Sequence, residues 1–416
     1  MPKQDDTALS HIRICDFTGQ LAGAGATRIL ATFGAQVIRV EDPVARGKWD
    51  ILRGTAPFID ERRGDELGGA FNNHNVEKLG ITINTRTGKG KDLLRRLIAI
   101  SDVVGENFSG GVMDRWGFSY ERMAEINPKI IYVSNSGFGK EGPYAKYKTW
   151  GPIVQAVGGL TYNSGFPGMT PAGWGYSYMD HTGGYFMAIA ILAALCHRNR
   201  TGEGQWIDMA CTDTAAALNG PAMLDYTVNG RPLSRPGSPD TNHNDSPVMV
   251  PHYVYRCAGE DNWVAIAARD ERDWFALCDA IDRPAWKADA RLSTARDRKQ
   301  HEAEIDRAIE EWTCTRQHRD VMWALQARGV PAGFVQRPRD RIEDDENARA
   351  WGLWPEVTHP EMGRVKVDGV PLKLSRTPAR LRHGAPLLGQ HNDFVYGDLL
   401  KMSKTEIDTL RQEQVI

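Results

Sequence analysis

Ile12-Arg13-Ile14-Cys15-Asp16-Phe17 is short and β-prone, and Gly19, Gly23 and Gly25 follow it. Ala26 to Phe33 then carries helix formers, with Gly34 as a stop, and Val37-Ile38-Arg39-Val40 is β-prone again. Strand, glycine turn, helix and strand in that order make a βαβ opening, the unit of a parallel doubly wound sheet. The alternation continues outward. Thr87 to Ile100 reads as an amphipathic helix, Asp102-Val103-Val104 as a strand, Tyr120 to Ile126 as a helix and Ile130-Ile131-Tyr132-Val133 as a strand. Gly183 to Arg198 reads as a strongly apolar helix, and Trp206-Ile207-Asp208-Met209 as the next strand. Some 200 residues of this pattern predict an α/β fold.

The character changes after Asn229. Residues 230–251 hold five prolines among Asn, Asp and Ser, and read as a loop too long for a passive connection. Strands at Tyr253-Val254-Tyr255 and Trp263 to Ile266 follow. Helices are expected at Glu271 to Ile281, Lys299 to Trp312 and Gln317 to Arg328. The expected organisation is a large α/β domain over 1–229, a small α+β domain over 230–335, and a linker and C-terminal segment over 336–416 that returns to the large domain. The last segment reads as another loop, strand-like pieces near Trp354 and Val365, and an exposed final helix from Lys404 to Arg411.

Composition excludes several classes. With 51 Lys+Arg against 53 Asp+Glu, the chain lacks the basic excess of a general nucleic-acid binder. The longest apolar run, Phe186 to Cys196, is shorter than a membrane span needs, and the polar start shows no signal peptide. The six cysteines form no Cys-x-x-Cys pair and the histidines no metal spacing. The expectation is a cytoplasmic protein without metal, without prosthetic group, and with neither nucleic acid nor membrane as partner.

Glu41 and Asp42 lie about 20 residues beyond the first glycines, where an acid binds ribose in dinucleotide folds. The local string ends in Arg28 where that fingerprint needs a third glycine, so the plain reading is a tight turn. The segment from Ser136 to Tyr144 is glycine-rich but weak as a pattern. The densest feature is Trp174-Gly175-Tyr176-Ser177-Tyr178-Met179-Asp180-His181-Thr182-Gly183-Gly184. As plain structure, Asp180 is the N-cap of the helix that follows. As chemistry, Asp180 is a carboxylate nucleophile: the helix dipole keeps it ionised, the aromatics exclude water, and Gly183-Gly184 let a substrate approach. His181 reads as structural.

Around these residues the sequence resembles the class III CoA-transferases, the formyl-CoA:oxalate and carnitine CoA-transferase family. The resemblance runs through Asp16-Phe17-Thr18-Gly19, Phe33-Gly34-Ala35, Glu106-Asn107-Phe108, Gly117-Phe118, Ile126-Asn127-Pro128 and Gly142-Pro143-Tyr144. It continues through Gln155-Ala156, Gly158-Gly159, Arg200 to Gln205 and Pro386 to His391, and so covers nearly the whole chain. It implies exchange of CoA between an acyl-CoA and a free acid, with Asp180 as nucleophile by way of an aspartyl anhydride and an aspartyl-CoA thioester. It places CoA contacts on Leu21, Ala22, Ile83, Asn84, Thr85, Arg86, Asn107, Phe108, Ser109, Arg115, Lys148, Thr149, Trp150 and Gly151. It implies a Rossmann-like large domain, a small domain, and two chains interlocked as linked rings in a homodimer, or with a different partner chain.

Departures from the oxalate enzymes point to another acid. Leu21 stands where those enzymes have glutamine, Gly151 where a carboxylate commonly stands, and Asp42 where some members have arginine; 237–247 lacks their tetraglycine loop. Trp150, Tyr162, Phe166, Trp174, Tyr176 and Tyr178 predict a bulky or aromatic acid, as in the benzylsuccinate branch, with succinyl-CoA as a candidate donor. The alternatives are an α-methylacyl-CoA racemase, whose His-Asp pair is absent from Lys146 to Pro152, and a non-catalytic acyl-CoA-binding protein.

Overall fold

The computed structural model describes residues 7–166, 168–175, 177–231, 243 and 249–416. Most of the loop expected at 230–251, and Tyr176, lie outside the described residues. The order of elements is β1 (Arg13–Phe17), α1 (Ala22–Thr32), β2 (Gln36–Glu41), α2 (Gly69–Asn75), β3 (Leu79–Thr82), α3 (Gly88–Ala99), β4 (Val103–Glu106), α4 (Val112–Trp116), α5 (Tyr120–Ile126) and β5 (Ile131–Ser136). Then come α6 (Gly151–Val157), α7 (Tyr178–Thr201), β6 (Gln205–Ala210), α8 (Cys211–Leu218) and α9 (Gly220–Asn229). The remainder is β7 (His252–Arg256), β8 (Trp263–Ala267), α10 (Glu271–Ala280), α11 (Ala295–Gln300), α12 (Glu302–Thr313), α13 (His318–Gln326), β9 (Ala332–Phe334), α14 (Glu346–Trp351), β10 (Glu356–His359), β11 (Gly363–Lys366) and α15 (Lys404–Gln412).

The first six strands form one parallel sheet in the order β3-β2-β1-β4-β5-β6. This is the Rossmann order, in which the winding reverses between β1 and β4. A parallel sheet is covered on both faces, and its strands are apolar on both. One face packs Ile14, Val37, Val103 and Ile131 against α1 and α7. The other packs Cys15, Ile38, Ile81, Val104 and Tyr132 against α3 and the C-terminal residues.

The sheet belongs to a unit made of Met1–Tyr162, Ala172–Leu233 and Asn347–Ile416. The last piece is tied to the sheet: the Tyr396 hydroxyl donates to the Thr82 carbonyl at 2.6 Å, and Asn84 N–H to the Val415 carbonyl at 2.8 Å. The final helix is therefore not an exposed appendage. Ile407 and Leu410 enter the same core as Val104 and Tyr132, because the helix is amphipathic. The second unit, Asn163–Pro171 with Ser234–Glu346, holds the antiparallel sheet β7-β8-β9 and helices α10 to α13. Its core centres on Trp274, stacked on Trp286 at 5.8 Å. The helix expected from Lys299 to Trp312 is two, broken at His301, whose backbone begins the second. The expected loop near 335–350 contains α14 and a helical turn at Asp340–Asp344, which Arg319 clamps through Asp340 and Asp344 at 2.6 and 2.9 Å.

Two boundaries shift with consequences. α1 begins at Ala22, so Gly23 and Gly25 lie inside the helix and not in a turn. A Cβ on Gly23 would stand 2.6 Å from Thr18 Cβ and 2.7 Å from the Asn107 side chain; the glycine brings α1 close to the ends of β1 and β4. α7 begins at Tyr178, so Asp180 is its third residue, and Ser177 is the N-cap. By length and apolar composition α7 alone qualifies as a membrane span among the described helices, longer than its apolar run suggested. Its buried residues, including Met187, Ile191 and Leu195, are part of the sheet's core.

A buried ionic cluster fixes the turn after β1. Asp16 accepts from Thr18 N–H at 3.0 Å, Thr27 Oγ1 at 3.0 Å and Lys78 Nζ at 3.1 Å. Lys78 also donates to the Ala24 carbonyl and Asn75 Oδ1. Burial pushes the Lys78 ammonium down to about 8. Beside it, Arg39 donates to Asp50 at 2.7 Å and to the Thr18 carbonyl at 2.6 Å, and Arg53 pairs with Glu41. Glu41 is thus engaged by arginines and is not a free ribose ligand.

Candidate active site

The C-terminal ends of β1, β4 and β5 meet where the sheet order reverses, the place where open α/β sheets bind ligands. A cavity of about 360 Å³ opens there, with Asp180 in its lining. Gly19 and Leu21 come from the turn after β1 and Ala22 from the start of α1, Asn107, Phe108 and Ser109 follow β4, and Asn135 and Ser136 end β5 with Gly137 just beyond. Tyr147 to Gly151 form another wall, with Val154 and Cys211 behind Asp180.

Asp180 is half-buried. Burial pushes its carboxyl above the ordinary range, while a hydrogen bond from the Ser177 hydroxyl pulls the other way. The expected dominance of the helix dipole is therefore opposed by desolvation. Space beside the carboxylate comes from Gly151, where a Cβ would stand 2.7 Å from Asp180 Oδ2. Gly183 and Gly184, expected to leave room for substrate, serve packing instead. A Cβ on Gly183 would lie 2.3 Å from Cys211 Sγ, and one on Gly184 would lie 2.6 Å from the Ala22 carbonyl oxygen. The second contact sets α7 against α1 backbone to backbone.

Of the residues implied as CoA contacts, Leu21, Ala22, Asn107, Phe108, Ser109, Lys148, Thr149, Trp150 and Gly151 line the cavity with Asp180. Ile83, Thr85 and Arg86 line a separate cleft of about 220 Å³, together with Phe17, Glu41 and Asp42. Trp49 and Phe108 belong to both, with their rings 5.2 Å apart, and form the partition between them. Arg86 pairs with Asp42 at 3.2 Å, the arginine exposed and the carboxylate partly buried. Asn84 and Arg115 lie in neither space. Asn84 Nδ2 holds the Gln414 carbonyl at 3.3 Å, and Arg115 is exposed on α4. Among the described aromatics expected as walls, Trp150 alone lines the cavity. Trp174 and Tyr178 pack on each other at 5.1 Å, and Tyr162 and Phe166 are exposed elsewhere.

Sequence reasoning missed Trp49, Tyr147, Asn135 and Cys211, which line the cavity, and Ser177, which adjoins Asp180. Trp49 lies outside any periodic element, and its place depends on Arg39, whose guanidinium lies 5.3 Å from the ring centroid. Ser177 was readable as the start of a Ser-x-x-Asp helix signature. Cys211 stays a thiol: burial and the nearby Asp180 push it up to about 12. Glu106, at the end of β4, is pushed up to about 7 by burial while accepting from the Tyr132 hydroxyl and Phe108 N–H. His181 packs 5.5 Å from His74, and burial lowers both rings, His74 to about 4.

Fold and cavity together define an α/β enzyme with an acidic group at the sheet's switch point. The sequence profile of CoA-transferase family III matches residues 9–392, and the chain belongs to that family. The formyl-CoA:oxalate CoA-transferase of Afipia carboxidovorans is 34% identical over 419 residues, covering 97% of this chain and 96% of that protein. The succinyl-CoA–D-citramalate CoA-transferase of Chloroflexus aurantiacus is 32% identical over 408 residues, covering 98% of each. The crystal structure of a CAIB/BAIF family protein from Brucella suis superposes with a TM-score of 0.82 at 29% identity, covering 94% of this chain and 99% of that one. The protein is a class III CoA-transferase, whose substrates are CoA thioesters and carboxylic acids.

Proposed function

We propose that Asp180 is the nucleophile that carries CoA transfer to a bulky or aromatic carboxylic acid. The observation that carries this reading is the half-buried carboxylate of Asp180 facing a cavity at the switch point, with Gly151 leaving its approach open. An Asp180 oxygen attacks the thioester carbonyl; a C–O bond forms, the C–S bond breaks, and CoA thiolate leaves an aspartyl anhydride. The thiolate then attacks the aspartyl carbonyl, releasing the donor acid and leaving an aspartyl-CoA thioester. The incoming carboxylate attacks that thioester, and the released thiolate attacks the new anhydride at the incoming acyl carbon. The acid's CoA ester forms and Asp180 is restored.

Lys148 beside the cavity, with Arg86 in the neighbouring cleft, suits a polyanionic CoA lying across the Trp49–Phe108 partition. Leu21, Ala22, Asn107, Phe108, Ser109, Thr149, Trp150 and Gly151 are its contacts in the first space, and Ile83 and Thr85 in the second. Trp49, Tyr147 and Trp150 supply flat apolar walls for the acyl group. Incubation with succinyl-CoA or acetyl-CoA in the presence of hydroxylamine should leave a modified Asp180 peptide by mass spectrometry. In a panel of acceptor acids, aryl-substituted succinates should exceed oxalate by at least about tenfold in kcat/KM. Oxalate as the best acceptor would refute the assignment of the acid.

The homodimer is part of the same reading. α7 is apolar around its whole circumference, yet Tyr185, Phe186, Ile189 and Leu192 are exposed. Such a helix is normally covered on every side. A second copy is the proposed cover, as in the linked rings implied by the family resemblance. Light scattering should give twice the chain mass of 46.3 kDa. A mass of one chain for the active enzyme would rule the dimer out.

A further inference from the structure

Ser177 departs from the usual behaviour of a helix N-cap in two ways. An N-cap serine takes an extended backbone and turns its oxygen to an N–H of the first turn. Ser177 has φ 44° and ψ 45°, in the left-handed region, and its side chain caps no backbone N–H. Its hydroxyl lies on the side of the Asp180 carboxylate instead, where it favours the ionised form. A left-handed backbone costs free energy in a residue other than glycine or asparagine, and such outliers persist where surrounding structure and function hold them. The same notch locates both groups: a Cβ on Gly151 would stand 2.7 Å from Asp180 Oδ2 and 3.0 Å from Ser177 Oγ.

We propose that Ser177 is the positioning residue of the nucleophile, its strained backbone turning the hydroxyl onto the Asp180 carboxylate and fixing the rotamer that faces the open side left by Gly151. The inference rests on the reading of Asp180 as nucleophile. Ser177 keeps its proton throughout. When an Asp180 oxygen forms its bond to the acyl carbon and the C–S bond breaks, the thiolate takes the electron pair and the serine hydrogen bond stays on the aspartyl group. The bond also favours the ionised carboxylate. The other groups around Asp180 do not replace it. α1 brings Leu21 and Ala22, and β5 brings Asn135 and Ser136, none of which titrates. α8 brings the neutral Cys211, the segment before α6 brings the exposed Lys148, and His181 on α7 packs on His74 of α2.

Ser177→Gly separates the two roles, because it removes the hydroxyl and also relieves the backbone. Its Tm should rise by about 1–2 °C. Its single-turnover rate of Asp180 modification by succinyl-CoA and hydroxylamine should fall about 10–100-fold. The acid limb of that rate should move up by about one pH unit: without the donor the carboxyl protonates more readily, so activity is lost at higher pH as pH falls. Ser177→Ala should show the same limb without the gain in Tm. A structural role alone would move Tm and leave the limb in place. Wild-type rate and limb in Ser177→Gly, with Asp180→Ala inactive, overturn the proposal alone. Full transfer by Asp180→Ala, or no adduct in the wild type with succinyl-CoA or acetyl-CoA, overturns the nucleophile reading and the proposal with it.

Discussion

Asp180→Ala should lower CoA transfer by at least about 10³-fold while leaving the fold as stable as the wild type or slightly more so. The rate follows from removing the only atoms on which the covalent steps run; loss of a nucleophile reaches about 10⁶-fold in well-studied hydrolases, with residual rates coming from binding alone. The stability follows from the opposite sign of the same group's environment. Burial pushes the Asp180 carboxyl up, so the folded chain holds a charge it would rather leave in water. Steady-state transfer and thermal unfolding on one preparation check both halves. Transfer near the wild-type rate, with a normal Tm, would end the covalent mechanism.

The second large effect is on stability and lies under the turn after β1. Asp16→Ala should destabilise the sheet unit by about 3–5 kcal/mol, because it leaves the Lys78 ammonium buried without its counter-charge. Thr18 N–H and the Thr27 hydroxyl lose an acceptor as well. Asp16→Ala combined with Lys78→Met should recover part of the loss, since an apolar pair avoids the stranded charge. Lys78 sits at about 8 in the folded chain against an ordinary 10.5. Its contribution is therefore most favourable above 10.5 and is lost as pH falls through 8, so the deficit of the single variant should shrink toward alkaline pH. Denaturation of the three proteins across pH measures this. A wild-type Tm for Asp16→Ala would show that the pair contributes nothing.

Five strands of the parallel sheet were legible because they are apolar and the helices between them periodic, from Ile14 in β1 to Ile207 in β6; β3 was not, its Leu79-Gly80-Ile81-Thr82 being short and interrupted by glycine. Helix starts were not, where glycine was read as punctuation. Gly23 and Gly183 look like turn or access residues in a sequence, and their real constraint is a neighbour distant along the chain, Asn107 for one and Cys211 for the other. Asp180 was legible through its aromatic and glycine company, although Trp174 and Tyr178 turned out to pack on each other. Trp49 was hidden because a cation–π contact with Arg39 leaves no periodic trace. Arg86 was placed by resemblance in one continuous contact set with Lys148, yet the Trp49–Phe108 partition separates the two spaces.

The contact between Gly184 of α7 and the Ala22 carbonyl of α1 bears on how such an enzyme changes its substrate. The turn at Leu21-Ala22 and the acid at Asp180 ride on two helices that touch main chain to main chain, with no side chain between them to shorten or lengthen. Point substitution has nothing there to adjust. Trp49 and the Tyr147–Trp150 segment lie outside both helices, so substitutions there should reshape the pocket without disturbing that contact. On the proposed reading, the frame that carries the reacting carboxylate is set by main-chain contact, and the pocket around it by side chains.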